Sequence, residues 1–170
     1  MKMTISMTQE RIGIGSDTHR FDTQRPLVLG GVTIPGAPGL SGHSDADALT
    51  HAIIDALLGA AALGDIGTHF PSSDAKWKNA NSLNLLTQVV DLLSQHGYRI
   101  GNIDAIVTTE SPPLQKHLVP MRQRLASAMG IISEDVSVKA TRTEGLGTLG
   151  RGEGLNALAI VRILKSPAKS

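Results

Sequence analysis

The chain has 170 residues, a formal net charge of +1 and no cysteine, with 41% hydrophobic and 18% charged residues. This length suits one domain with a sizeable core, and the missing thiols exclude disulfides, cysteine nucleophiles and thiolate metal sites, so a metal would have to sit on nitrogen and oxygen. With only 2% aromatics (Phe21, Phe70, Trp77 and Tyr98) and no long basic run, base-stacking and phosphate-backbone binding are not signalled.

Residues 1–10 are polar, lack the apolar stretch of a signal peptide and are expected as a disordered leader. A single domain is expected over residues 11–165, and a frayed end over 166–170. The longest apolar run, Ala56–Leu63, is too short to span a bilayer. No membrane or nucleic-acid partner is therefore expected, and with no targeting segment the expected compartment is the cytoplasm.

Arg11–Gly15 alternates like a short strand and delivers Asp17 and His19 at its far end, where side chains two apart point the same way. Arg25–Ile34 reads as a hairpin turning at Gly30-Gly31, and Gly36–Gly42 as loop. A helix is expected from Ser44 or Asp45 to Gly64, with apolar residues at helical spacing. Asp47, His51 and Asp55 lie four apart on it, a polar stripe that needs partners. Asp65–Ala80 reads as a polar loop. A second helix, capped by Asn81 or Ser82, runs to Gly97. A strand over Ile103–Thr109, a loop over Glu110–Lys116, a helix over Leu118–Met129, a strand over Val136–Ala140, a loop over Thr141–Gly154 and a closing strand over Leu155–Leu164 complete the chain. This order predicts an α/β sandwich: one mixed sheet with helices packed on one face.

Three of the six histidines fall between residues 17 and 51. Asp17, His19 and His51 offer three nitrogen or oxygen ligands, the pattern of a catalytic metal site with an open position; the plainer reading is a surface aspartate and two unrelated histidines. His43, in Gly-His-Ser-Asp just before the helix, suits a phosphate or hydroxyl contact, or is an ordinary loop histidine. Gly145–Gly150 matches the dinucleotide pattern G-x-G-x-x-G, but a strand rather than a long helix follows, so that reading is rejected. Thr141-Arg142-Thr143-Glu144 combines hydroxyls, a cation and a carboxylate, a mix suited to phosphate and a hard cation or to a polar turn. Arg151 and Glu153 flank glycines and read as an ion pair.

These stretches together resemble the 2-C-methyl-D-erythritol 2,4-cyclodiphosphate synthase family over about residues 11–164. The matching motifs are Asp17-Thr-His19, Gly42-His-Ser-Asp-Ala-Asp47, His51 followed by Asp55 through Ala62-Leu-Gly-Asp-Ile-Gly67, Phe70-Pro71, Val138-Lys-Ala140 and Gly150-Arg-Gly-Glu-Gly154. The resemblance implies a homotrimer with active sites between subunits. It implies a lyase that converts 4-diphosphocytidyl-2-C-methyl-D-erythritol 2-phosphate to the cyclic diphosphate and CMP. Asp17, His19 and His51 would be Zn²⁺ ligands, and Glu144 would hold Mg²⁺ or Mn²⁺. His43, in a catalytic place, and Ser44 would contact the methylerythritol phosphate, with Phe70 and Asp74 nearby, while Asp65 and Gly67 would hold the ribose. Thr109, Ser111, Pro112 and Gln115 would line the cytosine pocket. Thr141, Arg142 and Thr143 would sit at the diphosphate, with Arg142 in a catalytic place. Thr148 would be a further substrate contact, and Arg151 would lie near the phosphates or the trimer axis. Ser72, Pro113, Arg142 and Thr148 depart from the residues usual in the family. Arg142 and Pro113 motivate a competing expectation of another class, a catalytically weak trimer that only binds cytidine nucleotides or isoprenoid diphosphates.

Overall fold

In the computed structural model, which describes residues 9–165, the chain forms five strands and five α-helices. They run β1 (Glu10–Leu29), β2 (Val32–Leu40), α1 (Ala48–Ala61), α2 (Ile66–His69), α3 (Ser82–Gln95), β3 (Tyr98–Thr108), α4 (Leu118–Met129), β4 (Val136–Thr141), α5 (Gly147–Gly150) and β5 (Gly154–Lys165). The expected leader up to residue 8 and the expected frayed end at 166–170 lie outside the described residues; Glu10 already belongs to β1.

The strands form one mixed sheet in the order β2-β1-β5-β3-β4. Only β3 and β4 run parallel; the other neighbours are antiparallel. The expectation of a short first strand followed by a separate hairpin is corrected here. β1 is continuous for 20 residues and serves two partners: Glu10–Arg20 pair with β5, and Phe21–Leu29 pair with β2. Its middle is polar and lacks apolar alternation although the backbone stays extended, and the register slips between Asp22 and Pro26. Most of the expected loop at Gly36–Gly42 is likewise strand, through Leu40. β2 lies at the sheet edge, where prolines cost no ladder bond.

The three long helices cover one face. Leu155, Ala157, Ala159, Val161 and Ile163 of β5 alternate inward and are fully buried, and α1 packs over β1 and β5. α1 is buried nearly all round, 12 of its 14 residues, because α3 covers its far side. It lies unusually close to the sheet. A Cβ at Gly13 would stand 2.0 Å from the Ala56 carbonyl oxygen, and one at Gly15 2.1 Å from that of Ala52. The opposite sheet face is bare, with Ile12 74% and Ile14 66% exposed.

α1 starts at Ala48, later than expected, because Asp47 is its cap. The fully buried Asp47 carboxylate accepts from Thr50 N (3.0 Å) and Thr50 Oγ1 (2.8 Å), and from Gly30 N (2.8 Å) and Gly31 N (2.7 Å) in the β1–β2 turn. Both glycines have the positive φ that such a two-residue turn requires. Burial pushes the Asp47 carboxyl up, against these hydrogen bonds.

The close contact with α1 leaves no room for a side chain at Gly13 or Gly15. Gly15→Ala is expected to destabilise the fold by about 3 kcal/mol through overpacking, lowering Tm by roughly 6–12 °C for a domain of this size; calorimetry on the two proteins checks it.

Candidate metal centre

Because α1 lies directly on β1, His51, one turn into the helix, faces the strand positions just beyond Gly15. Asp17 Oδ2 stands 2.8 Å from His19 Nε2 and 3.0 Å from His51 Nδ1. One ligand atom from each of the three residues lies within 4.8 Å of the other two.

The far nitrogens of both imidazoles are tethered. His19 Nδ1 lies 2.5 Å from the Ser41 carbonyl oxygen, which can only accept, so Nδ1 carries the proton. His51 Nε2 lies 2.8 Å from Ser82 Oγ and 3.1 Å from Ser44 Oγ. The Ser82 hydroxyl donates to Asp45, whose other oxygen accepts from Ser82 N at 2.9 Å, so Ser82 Oγ accepts from His51 Nε2–H. In these tautomers both near nitrogens and the Asp17 oxygen are lone-pair donors pointed at one another. Three acceptors at such distances repel unless a proton or a metal cation stands among them. Burial pushes the Asp17 carboxyl up, but its hydrogen bonds with His19 and His51 outweigh burial and hold it well below the usual range. The hydrogen bond to Asp17 pushes the His19 imidazole up against its own burial. The donor set, its tethered imidazoles and its open side fit a divalent metal ion.

That open side faces a cavity of about 250 Å³, lined among others by His43, Ser44, Asp55, Ile66, Gly67, Phe70, Ser72 and Trp77. Trp77 stands edge-on to Phe70, with ring centroids 4.9 Å apart, and Lys76 Nζ lies 4.3 Å from the Trp77 ring centroid. The polar stripe on α1 is now accounted for. Asp47 caps, His51 joins the cluster, and Asp55 accepts from Ile66 N at 2.7 Å while burial pushes its carboxyl up. Asp65 and Asp74, expected at the substrate, cap the turns that follow them: Asp65 accepts from Thr68 N and Oγ1, and Asp74 from Lys76 N. Neither lines the cavity, whereas Ser72 does. The loop expected over Asp65–Ala80 contains α2 and a 3₁₀ turn at Ala75–Trp77.

A second cavity, of about 170 Å³, opens at the C-terminal ends of the parallel pair β3 and β4. It gathers Thr109, Pro112, Gln115, Thr141 and Arg142 from the expected set, together with Glu110 and Pro113. The Thr109 hydroxyl donates to the Ser111 carbonyl at 2.7 Å. Glu110, which the sequence did not single out, fixes the next loop by accepting from Thr143 N and Oγ1, both at 2.8 Å, and from Gly145 N at 3.2 Å. The hydrogen bond from Thr143 leads in pulling the Glu110 carboxyl below its usual range. The turn so formed holds Glu144 at a left-handed φ of 53°. Thr148 lines a third cavity beside His19, and Arg151 pairs with Glu153 at 2.8 Å. Within the expected loop over Thr141–Gly154, the glycine-rich stretch makes only the single turn α5 before β5 begins.

The metal-site cavity and the β3–β4 cavity do not meet in one chain. β5 and β3 separate β1 from β4, three interstrand steps or roughly 14 Å, and Glu144 is not part of the Asp17–His19–His51 cluster.

An α/β fold here carries at a cavity mouth an Asp–His–His cluster that could hold a metal ion, and the chain belongs to the YgbB family, whose model matches residues 10–164. The enzyme is a lyase of isoprenoid biosynthesis of the kind named 2-C-methyl-D-erythritol 2,4-cyclodiphosphate synthase. A relative carrying that name in Syntrophomonas wolfei is 56% identical over 153 residues, 90% of this chain and 98% of its own. Among solved structures, the bifunctional IspDF from Campylobacter jejuni matches with a TM-score of 0.90 and 42% identity over 94% of this chain, which spans 43% of that longer protein. The CDP complex of IspF from Plasmodium falciparum matches with a TM-score of 0.82 and 30% identity, over 95% of this chain and all (100%) of the other. The cyclase reading is thereby favoured over the pure nucleotide binder.

Ser82 was legible only as a possible cap. Asn81 takes that role, accepting from Leu83 N and Asn84 N, which frees the Ser82 hydroxyl for His51. Ser82→Ala is expected to weaken divalent-metal affinity about 10–100-fold with the fold intact; competition against a chromophoric chelator measures it.

Proposed function

We propose that this chain binds 4-diphosphocytidyl-2-C-methyl-D-erythritol 2-phosphate and closes it to the cyclic diphosphate with release of CMP, at sites built between copies in a homotrimer. The observation that carries this reading is the separation of the metal cavity from the cavity at the ends of β3 and β4. Each is an open half-site, and one copy's metal cavity facing another copy's β3–β4 cavity makes a cleft long enough for a nucleotide-linked sugar phosphate. The bare sheet face, with Ile12, Ile14 and Ile160 exposed, supports burial against other copies. CDP in the solved Plasmodium falciparum relative supports a cytidine nucleotide as the ligand.

In this reading Asp17, His19 and His51 hold Zn²⁺, and Glu144 holds Mg²⁺ or Mn²⁺. When bound, the two ions supply Lewis acidity and charge compensation to phosphoryl oxygens. The residues do the positioning. His43 and Ser44 grip the methylerythritol phosphate at the cavity wall, beside Gly67 and Phe70. Thr109, Ser111, Pro112 and Gln115 surround the cytosine of the neighbouring half-site. Thr141, Arg142 and Thr143 face the diphosphate, and Arg142 brings a guanidinium for its oxygens. An oxygen of the 2-phosphate attacks the β-phosphorus in line. The bond from that phosphorus to the bridging oxygen breaks, and CMP leaves with the oxygen. Both reacting groups belong to one molecule, so holding its ends together supplies much of the rate, and no protein nucleophile is needed.

The purified protein is expected to hold about one zinc per chain at the three-ligand site, and His51→Ala to lose CMP release by at least about 10³-fold. Full release by that variant, or cytidine product without cyclic diphosphate by phosphorus NMR, overturns the reading. Two inactive variants test the shared site. Co-expressed His51→Ala and Glu144→Ala chains are expected to recover roughly one quarter of wild-type activity, because about one interface in four receives both intact halves in a random cyclic assembly. No recovery indicates that each site lies within one chain.

A further inference from the structure

The stretch Ser41–Asp45 between β2 and α1 has no regular structure, yet it forms one wall of the metal cavity. Its Ser41 carbonyl orients His19, its His43 side chain lines the cavity, and its Ser44 hydroxyl lies against His51. Backbone bonds tie down part of it: Ser41 N donates to Arg20 O at 2.9 Å, Asn79 N to His43 O at 2.9 Å, and Asp45 N to Ala80 O at 3.1 Å. The two remaining carbonyls on either side of His43 are both taken by one side chain. Arg25 donates from Nη1 to Gly42 O at 2.5 Å and from Nη2 to Ser44 O. It stands where the β1–β2 register slips, between Asp22 and Pro26.

We infer that Arg25 is a positioning residue for the His43–Ser44 wall, setting the direction in which His43 enters the cavity. The inference rests on the reading that this cavity receives the phosphorylated end of the substrate. A guanidinium is a rigid planar fork, so binding two carbonyls at once fixes their spacing and with it the peptide between them. Lysine offers one flexible nitrogen and cannot set that spacing. The metal ligands themselves sit on β1 and α1, and His51 keeps its bond to Ser82 whatever the wall does, so the clamp acts on the wall and only through it on the imidazoles. Its charge also lies beside the side of the cavity where an anionic group is expected to sit, and this favours the anion.

The test compares full-length wild type with Arg25→Ala and Arg25→Lys, reading CMP release, zinc content, thermal unfolding and amide hydrogen exchange. For Arg25→Ala the expected result is unchanged zinc stoichiometry and a Tm within about 3 °C of wild type. The kcat should fall roughly 10–100-fold, more than KM rises, as for a misplaced contact group. Amide exchange across Gly42–Asp45 should quicken at least about tenfold while α1 is unaffected, and Arg25→Lys should lie between. Unchanged kcat, unchanged exchange at Gly42–Asp45, or a loss of activity that merely follows loss of zinc or Tm overturns the assignment. If the wild-type protein itself releases no CMP, the proposed function fails, and the exchange data alone then decide whether Arg25 holds the wall.

Discussion

The site depends first on how near α1 can come to β1. Two glycines on one face of the strand leave helix backbone in contact with strand backbone, with no side chain between them. A larger residue at either position would lift the helix away. His51 rides on that helix and Asp17 and His19 on that strand, so any lift would open the ligand cluster directly. The packing of the core and the geometry of the metal centre are thus one constraint. The small side chains Ala52, Ala56 and Ala60 on the facing side of α1, all buried, belong to the same constraint.

Around this contact the polar groups of the interior are fully partnered: among the described residues, no buried side-chain nitrogen or oxygen lacks a hydrogen bond. That is demanding for a helix carrying Asp47, His51 and Asp55 along one stripe. The solution differs at each. Asp47 takes backbone N–H groups from a turn, His51 takes two hydroxyls and a carboxylate, and Asp55 takes the first N–H of α2. Each bond ties α1 to a different part of the chain, so the stripe fastens the hairpin, α3 and the cavity floor to the central helix. Unpaired, any of the three would cost more than its bond contributes.

Much of this was readable in the residues. The Asp17, His19 and His51 set, the capping role near Asp47, the three long helices and the closing strand follow from ligand type, spacing and apolar period. The length of β1 did not, because its middle keeps the backbone ladder while its side chains leave the apolar pattern. The strand character of Pro35–Leu40 was hidden in the same way, since prolines and glycines on an edge strand read as loop. The contacts that tune the centre were the least visible. Ser82 reaches His51 across 31 positions and Arg25 reaches Ser44 across 19, and neither spacing leaves a local signature. Glu110 holding the Thr143–Gly145 turn is of the same kind. The capping bonds of Asp65 and Asp74 were equally out of view, because an aspartate that caps a short turn has the same local sequence as one that meets a ligand.

The aromatic pair at the cavity wall has a practical side. Trp77 is the chain's single tryptophan, and it lines the metal cavity in edge contact with Phe70, beside the Lys76 ammonium. The indole emission of the whole protein therefore originates at one spot, within the very chamber whose filling is of interest. The polypeptide comes with its own optical gauge of occupancy, and no dye need be attached to follow ions or sugar phosphates entering and leaving.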